Sequence, residues 1–296
     1  CWGEHAGWDF RTEARAQYSQ GNTHEFFRPW VLWNRCWELA PRPCQKFALG
    51  LWEHQIADHA TGDYSRHAAI DRHGPGRGAP YPRHGGFYIL TWAKAYVKTQ
   101  DSVFLKAIDV VIQGLDNDRR NGGMVVSRNR SLGKRVAYDL SVTISVWEAA
   151  SLVPEDLADK MREFAKANDA AYAAAHPGTE AGAESPEKKD EGARTPPNLW
   201  SSGYGGAGGE VAGRANLCLM RYAQVKLAPY KETAIGAADR YLNDDVNLSF
   251  PVYPGTVGKV ILLMLGAHEL TGEPRYLRRA DALARQSLTL FLDDSC

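Results

Sequence analysis

The sequence lacks both a long hydrophobic run and a net charge. Its longest purely apolar stretch extends only from Val260 to Leu265, whereas a membrane-spanning helix needs about 20 apolar residues. Lys and Arg together number 35, and so do Asp and Glu, which gives a formal net charge of zero at pH 7. We therefore expect no membrane span and no nucleic-acid partner, because a nucleic-acid-binding face is usually strongly basic.

Several motifs that would define a reaction are also missing. The five cysteines form no Cys-x-x-Cys pair, which excludes zinc-ribbon and thioredoxin motifs. Their odd number argues against a complete disulfide framework, although a single bridge such as Cys36–Cys44 stays open. No Gly-x-Ser-x-Gly elbow is present and Cys218 lies in an apolar predicted helix, which disfavours hydrolysis by a Ser or Cys nucleophile.

Helical periodicity, in contrast, runs through nearly the whole chain and comes in pairs of helices. The predicted helices occupy residues 25–39, 43–58, 86–98, 102–115, 140–152, 155–175, 210–227, 231–243, 256–270 and 275–292. These pairs form five helical hairpins with a spacing of roughly 50 to 60 residues, as in helical-repeat architectures.

The links between these predicted helices alternate in length. Links inside a hairpin are a few residues long, whereas links between hairpins are long, so all the long links lie at one end of the assembly. The first helix of each pair is the more uniformly apolar, and its partner carries a polar stripe. An inner ring of apolar helices wrapped by an outer ring predicts an all-α fold, an incomplete α/α toroid of helical hairpins. We expect one catalytic domain over residues 1–296, with native residues missing at one or both ends.

The link after the first hairpin has the highest density of chemically active side chains. Together with the end of the preceding predicted helix, where His54 lies, it holds five of the nine histidines: His54, His59, His67, His73 and His84. Any single histidine here is better explained as a hydrogen-bonding residue of a polar loop. The cluster as a whole predicts an acid/base site, because imidazole titrates near neutral pH.

A metal site is a minority alternative in the same segment. His54 and Asp58 lie four residues apart in the predicted helix 43–58 and would share one face of it. No His-Glu-x-x-His motif accompanies them, so we predict no metal and no cofactor.

Two other segments offer ligand-contacting groups. Residues 200–210 are rich in glycine but lack the Lys-Ser/Thr ending of a phosphate-binding loop, so the glycines more plausibly allow close approach of a ligand. Trp200 and Tyr204 would be the aromatic walls of that segment. Before the first helix, Thr23 is a candidate N-cap, whereas His24 and Glu25 would lie at the functional end; both interpretations stay open.

The chain resembles the α/α-toroid carbohydrate-active enzymes. The hairpin link and helix start at residues 271–281 resemble theirs, and the first third of the chain is most similar to bacterial uronate polysaccharide lyases of the alginate and glucuronan type. The residues that carry this likeness are Trp2-Gly3-Glu4-His5, His24-Glu25, Arg66-His67 and Gly85-Gly86-Phe87-Tyr88. The resemblance implies β-elimination on an acidic polysaccharide and a periplasmic or secreted location.

The resemblance also implies roles for individual residues. A lyase must neutralise the uronate carboxylate, remove the C5 proton and protonate the leaving O4. We expect Arg66 or His67 to bind the carboxylate, His84 to abstract the proton, and Tyr88 or Tyr81 to donate one. The expected substrate-binding residues are His24, Glu25, Arg83, Trp200 and Tyr204.

Two other functions remain as alternatives. A toroid glycoside hydrolase similar to the unsaturated-glucuronyl hydrolases would need two carboxyl groups across the bond, with Glu25, Asp71 and Glu210 as candidates. A non-catalytic carbohydrate-binding toroid would bind glycans without turnover. Oligomeric state is not predicted.

Overall fold

The structure is a computed structural model. It describes residues 8–9, 14–15, 32–64, 74, 82–120, 126–129, 134–138, 140–175, 199–200, 208–249 and 252–292. These residues are mostly α-helical, which confirms the all-α class. They divide into two compact units, Cys1–Ala174 (unit 1) and Ala175–Cys296 (unit 2). The incomplete toroid of helical hairpins and the single catalytic domain stay predictions.

The helices follow the predicted pairs closely. They are α1 Trp33–Leu39, α2 Pro41–Gly50, α3 Pro82–Thr99, α4 Ser102–Arg120, α5 Leu140–Ala150, α6 Glu155–Ala175, α7 Gly208–Val225, α8 Ala228–Leu242, α9 Pro254–Thr271 and α10 Pro274–Phe291. Five of them, α2, α3, α8, α9 and α10, have proline in the first turn, where the missing N–H is not needed by the helix. Among the described helices, none is both long and apolar enough to cross a membrane.

The second predicted helix, 43–58, is wrong at its end, because residues 56–58 form a strand. The α-helix ends at Gly50 and continues as one π-helical turn, Leu51–Gln55 (the π-turn), followed by strand β3, Ile56–Asp58. Strand β3 pairs antiparallel with β4, Asp63–Tyr64, through the rung Ile56↔Tyr64. His54 and Asp58 therefore do not share a helical face, because one lies in the π-turn and the other in a strand.

Two further antiparallel hairpins lie among the described residues. Strand β1, Trp8–Asp9, pairs with β2, Ala14–Arg15. Strand β5, Val126–Asn129, pairs with β6, Lys134–Tyr138, in the long link between α4 and α5. They are short strands outside the helices and leave the helical class unchanged.

In unit 1, helix α3 packs against both α4 and α5 and is buried along most of its length. A Cβ on Gly86 would lie 2.8 Å from Val142 Cα of α5, so glycine permits the close approach of the two helices. Phe87, Ile89 and Trp92 are buried there together with residues of α2 and α4. This core fixes the first turn of α3, where the predicted histidine lies.

Unit 2 is built from the hairpins α7–α8 and α9–α10, with α7 also packed on α9. The Asn216 amide of α7 donates to the carbonyl oxygens of Ala212 in its own helix and Lys259 in α9, at 2.8 Å each. Arg279 of α10 donates from Nε to the Tyr241 carbonyl oxygen at 2.9 Å, which satisfies a carbonyl in the last turn of α8. Regular helix packing and satisfied helix ends hold this unit together.

Candidate functional site

The structure describes the side chains of three predicted site residues. His84 and Tyr88 lie in α3 of unit 1, and Trp200 lies in unit 2. Arg83 is in the first turn of α3, but its side chain is not described. The other predicted residues lie outside the described residues: His24, Glu25, Arg66, His67, Tyr81 and Tyr204.

His84 and Tyr88 are neighbours on one face of α3. They are four residues apart in a helix, and their ring centroids lie 6.4 Å apart. His84 is 1% exposed and Tyr88 is fully buried. The predicted base and acid are thus adjacent, within the range in which one bound sugar ring could contact both.

Tyr64 of strand β4 completes an aromatic group around the start of α3. Its ring meets that of Tyr88 edge-on, with centroids 5.8 Å apart. A Cβ on Gly85 would lie 2.7 Å from the Tyr64 hydroxyl oxygen, so glycine at this position lets the phenol pass over the backbone next to His84. The sequence gives Tyr64 no evident role, since its approach to Gly85 depends on the β3–β4 hairpin.

Hydrogen bonds of Asp58 and a close contact with α4 hold the β3–β4 turn in position. The Asp58 carboxylate accepts hydrogen bonds from the Ala60 N–H at 2.9 Å and the Thr61 hydroxyl at 2.8 Å, which lower the pKa of Asp58. Gly62 has a φ of +73°, and a Cβ there would lie 2.3 Å from the Val110 carbonyl oxygen of α4. The turn is therefore pressed against α4, and its rigidity sets the position of Tyr64.

The π-turn before β3 is supported by side chains that bind backbone carbonyls. Trp92 Nε1 donates to the Ala48 carbonyl oxygen at 2.9 Å. His59 Nε2 donates to the Trp52 carbonyl oxygen at 2.8 Å, and its ring stacks edge-on against the Trp52 ring at 4.1 Å. Two of the residues involved, His59 and Trp92, thus have structural contacts here. This agrees with the view that a single histidine of the cluster is a hydrogen-bonding residue.

Gln55, the last residue of the π-turn, is a buried polar group that sequence reasoning missed. It has no exposed surface, and within the described part of the chain neither its Nε2 nor its Oε1 has a hydrogen-bond partner. Each buried polar atom left without a partner costs about 1 to 3 kcal/mol. The only signal in the sequence is a glutamine that precedes Ile56 and follows Leu51 by four residues, and such a signal does not reveal whether the amide is satisfied.

Trp200, the predicted aromatic wall, lies in the core of unit 2. It is fully buried and its ring meets Tyr241 edge-on, with centroids 5.4 Å apart. The Tyr241 hydroxyl donates to the Leu199 carbonyl oxygen at 3.4 Å, and burial raises the pKa of Tyr241 to about 12. The contacts that the structure gives Trp200 are packing contacts; its predicted role in binding substrate stays a prediction.

No cluster of three or more His, Cys, Asp or Glu side chains that could hold a metal ion is found among the residues that the structure describes. The arrangement that the described residues do bring together is an imidazole and two phenols at the start of α3, with the π-turn and the β3–β4 hairpin alongside. These groups can accept and donate protons. Comparisons with family models, with curated proteins and with solved structures find no match to this chain.

Proposed function

We propose that the chain is a polysaccharide lyase that cleaves a uronic-acid-containing polymer by β-elimination. The observation that carries this proposal is the pairing of His84 with Tyr88 on one face of α3, with the Tyr64 hydroxyl beside them. Elimination needs a base and an acid within reach of one sugar ring. The periplasm or the cell exterior is the proposed location, where such polymers are met.

The proposed reaction assigns the proton transfers to this pair. His84 removes the proton from C5, the C4=C5 double bond forms, and the bond from C4 to O4 breaks. Tyr88 protonates the departing O4, with Tyr81 as the alternative acid. Tyrosine suits the role of acid because its ordinary pKa near 10 keeps it protonated at neutral pH.

The substrate carboxylate must be neutralised for C5 to lose a proton. Arg66 or His67 is proposed for this role, and His24, Glu25, Arg83, Trp200 and Tyr204 for further contacts with the polymer. The backbone N–H groups in the first turn of α3 add partial positive charge beside His84, which favours an anionic substrate. Because His84 is almost completely buried in the free protein, turnover requires that its side chain become accessible when the polymer binds.

The test is a panel of alginate, glucuronan, pectate and glycosaminoglycans, followed by the ultraviolet absorbance of the unsaturated product. We expect wild-type protein to form that product on at least one polymer. His84→Ala and Tyr88→Phe should each lower kcat at least about 100-fold, as expected on removal of a proton-transfer group. Tyr96→Phe, in the same helix but outside the site, is the matched control and should keep wild-type activity.

Three outcomes would contradict the proposal in different ways. Release of reducing sugar without absorbance would identify a glycoside hydrolase. Binding of a glycan without turnover would identify a carbohydrate-binding protein. Full activity in both His84→Ala and Tyr88→Phe would show that other residues transfer the protons, even if the unsaturated product forms.

A further inference from the structure

Gln55 differs from the other buried amides of the described chain in having no hydrogen bond. Asn168 is also fully buried, and its amide donates to the Phe164 carbonyl oxygen at 2.9 Å. Asn216, half-buried in unit 2, donates to two carbonyl oxygens. The chain therefore satisfies buried amides elsewhere, whereas both polar atoms of Gln55 are left without a partner among the described residues.

The position of Gln55 ties it to the proposed site. Gln55 is the last residue of the π-turn, and the next residue, Ile56, pairs with Tyr64 across strands β3 and β4. The Tyr64 hydroxyl in turn lies against the backbone of Gly85, which follows His84. Gln55 thus combines an unsatisfied amide with a local distortion one residue from the hairpin that reaches the site.

We propose that Gln55 is a saccharide-binding residue whose carboxamide hydrogen-bonds two neighbouring hydroxyl groups of a sugar ring. The proposal rests on the function proposed above in taking the ligand to be a saccharide. A carboxamide donates through Nε2 and accepts through Oε1, and a hydroxyl group can do both. A carboxylate only accepts, so it would leave Oε1 without a donor. The amide therefore matches a pair of ring hydroxyls better than it matches the uronate carboxylate.

The burial of Gln55 requires its side chain to move before a sugar can bind it. Because the side chain has no exposed surface in the free protein, it must turn out of the core when the saccharide binds. That movement breaks no hydrogen bond of the amide with the described residues. Binding therefore replaces two unsatisfied polar atoms with two hydrogen bonds to hydroxyl groups. An amide kept unsatisfied in the free protein is suited to such a role, since functional sites commonly retain groups that do not stabilise the fold.

The test separates stability from binding with two leucine variants. Gln55→Leu replaces the amide with an apolar side chain of similar size, so it should raise Tm by about 2 to 4 °C in the absence of glycans. The same variant should lose the rise in Tm that oligosaccharides of the cleaved polymer give the wild type, and kcat/KM should fall at least about tenfold. Asn168→Leu is the matched control: it loses a hydrogen bond, so its Tm should fall while its response to oligosaccharides stays.

Each remaining outcome overturns a defined claim. If Gln55→Leu responds to oligosaccharides as the wild type does, Gln55 does not bind them. If Gln55→Leu lowers Tm as Asn168→Leu does, the amide is satisfied in the folded protein and the premise fails. An oligosaccharide response without unsaturated product would refute elimination alone, and the leucine variant would still test Gln55. No response of the wild type to any glycan of the panel would refute saccharide binding by Gln55.

Discussion

The two units bury their helices in similar ways, and one buried polar group, Gln55 of unit 1, sets them apart. In unit 2, the Tyr276 hydroxyl donates to the Asp239 carboxylate at 2.8 Å, and Arg279 binds carbonyl oxygens at the end of α8. In unit 1, Gln55 is buried with no partner among the described residues, and His84 is buried beside two tyrosines. The polar groups in the first case secure the fold, whereas the amide of Gln55 in the second does not. Unit 1 is also the unit in which we propose the reaction.

Glycines show the same contrast. In unit 1, glycines mark places where backbone or a hydroxyl comes too close for a side chain, at Gly62, Gly85 and Gly86. In helix α9 of unit 2, a Cβ on Gly258 would meet nothing within 4 Å. Close approach in unit 1 positions the hairpin and the first turn of α3, so substitutions of glycine should separate the two units experimentally.

The largest effect is expected for Gly62→Ala. The residue has a left-handed φ of +73°, and the new Cβ would lie 2.3 Å from the Val110 carbonyl oxygen, which belongs to the backbone and cannot rotate away. We expect the free energy of unfolding to fall by about 3 kcal/mol or more, measured by urea denaturation. The β3–β4 hairpin and Tyr64 should shift with it.

Gly266→Ala in unit 2 is the matched control for that change. Its Cβ would also come close to a neighbour, 2.5 Å from Leu219 Cδ1, but that atom is the end of a flexible side chain. The gain in helix propensity offsets part of the crowding, so the change in unfolding free energy should stay below about 1 kcal/mol. Equal losses in the two variants would show that the contact at Gly62 is no tighter than that at Gly266.

The second prediction concerns pH and unit 2. Burial, together with the hydrogen bond to the Asp239 carboxylate, raises the pKa of Tyr276 to about 12. An unfolded tyrosine has a pKa near 10, so the folded state favours the protonated phenol. The resulting stability is complete below pH 10 and is lost as pH rises from 10 to 12.

Tyr276→Phe should therefore lower the unfolding free energy by about 1 kcal/mol at pH 7 and reduce its fall between pH 10 and pH 12. The measurement is urea denaturation at a series of pH values. Tyr253, 58% exposed, provides the control, since Tyr253→Phe removes an exposed hydroxyl group and should leave the unfolding free energy at pH 7 unchanged. A wild-type slope in Tyr276→Phe would show that the phenol is not held in its protonated form by the fold.

The sequence predicts the helices of this structure more completely than it predicts the site. Helix α6 of unit 1 was predicted at 155–175 and lies at Glu155–Ala175, and the hairpin helices of unit 2 end within two residues of the prediction. Such helices follow from the 3.6-residue period of their apolar positions, because packing one face is enough to define them. The adjacency of His84 and Tyr88 follows from the same period, since residues four apart share a face.

The π-turn and β3 could not be predicted in this way. Leu51 and Ile56 continue the apolar pattern of α2, so periodicity alone extends the helix to residue 58. The change of conformation depends on distant partners: the Trp92 indole on the Ala48 carbonyl, and Tyr64 paired with Ile56. The burial of Gln55 and the approach of Tyr64 to Gly85 result from these contacts, which no local pattern encodes.

The smallest expected effect is a gain in stability from Gly258→Ala. Gly258 lies inside α9, and because a Cβ there would meet nothing within 4 Å, alanine adds no clash. Alanine also restricts the unfolded chain and favours the helix, so the unfolding free energy should rise by about 0.5 to 1 kcal/mol. Gly86→Ala in α3 is the control, and should lose about 1 to 3 kcal/mol because its Cβ would lie 2.8 Å from Val142 Cα of α5. A loss at Gly258 comparable with that at Gly86 would mean that α9 is packed as closely at this position as α3 is, and the contrast between the two units would then not extend to their glycines.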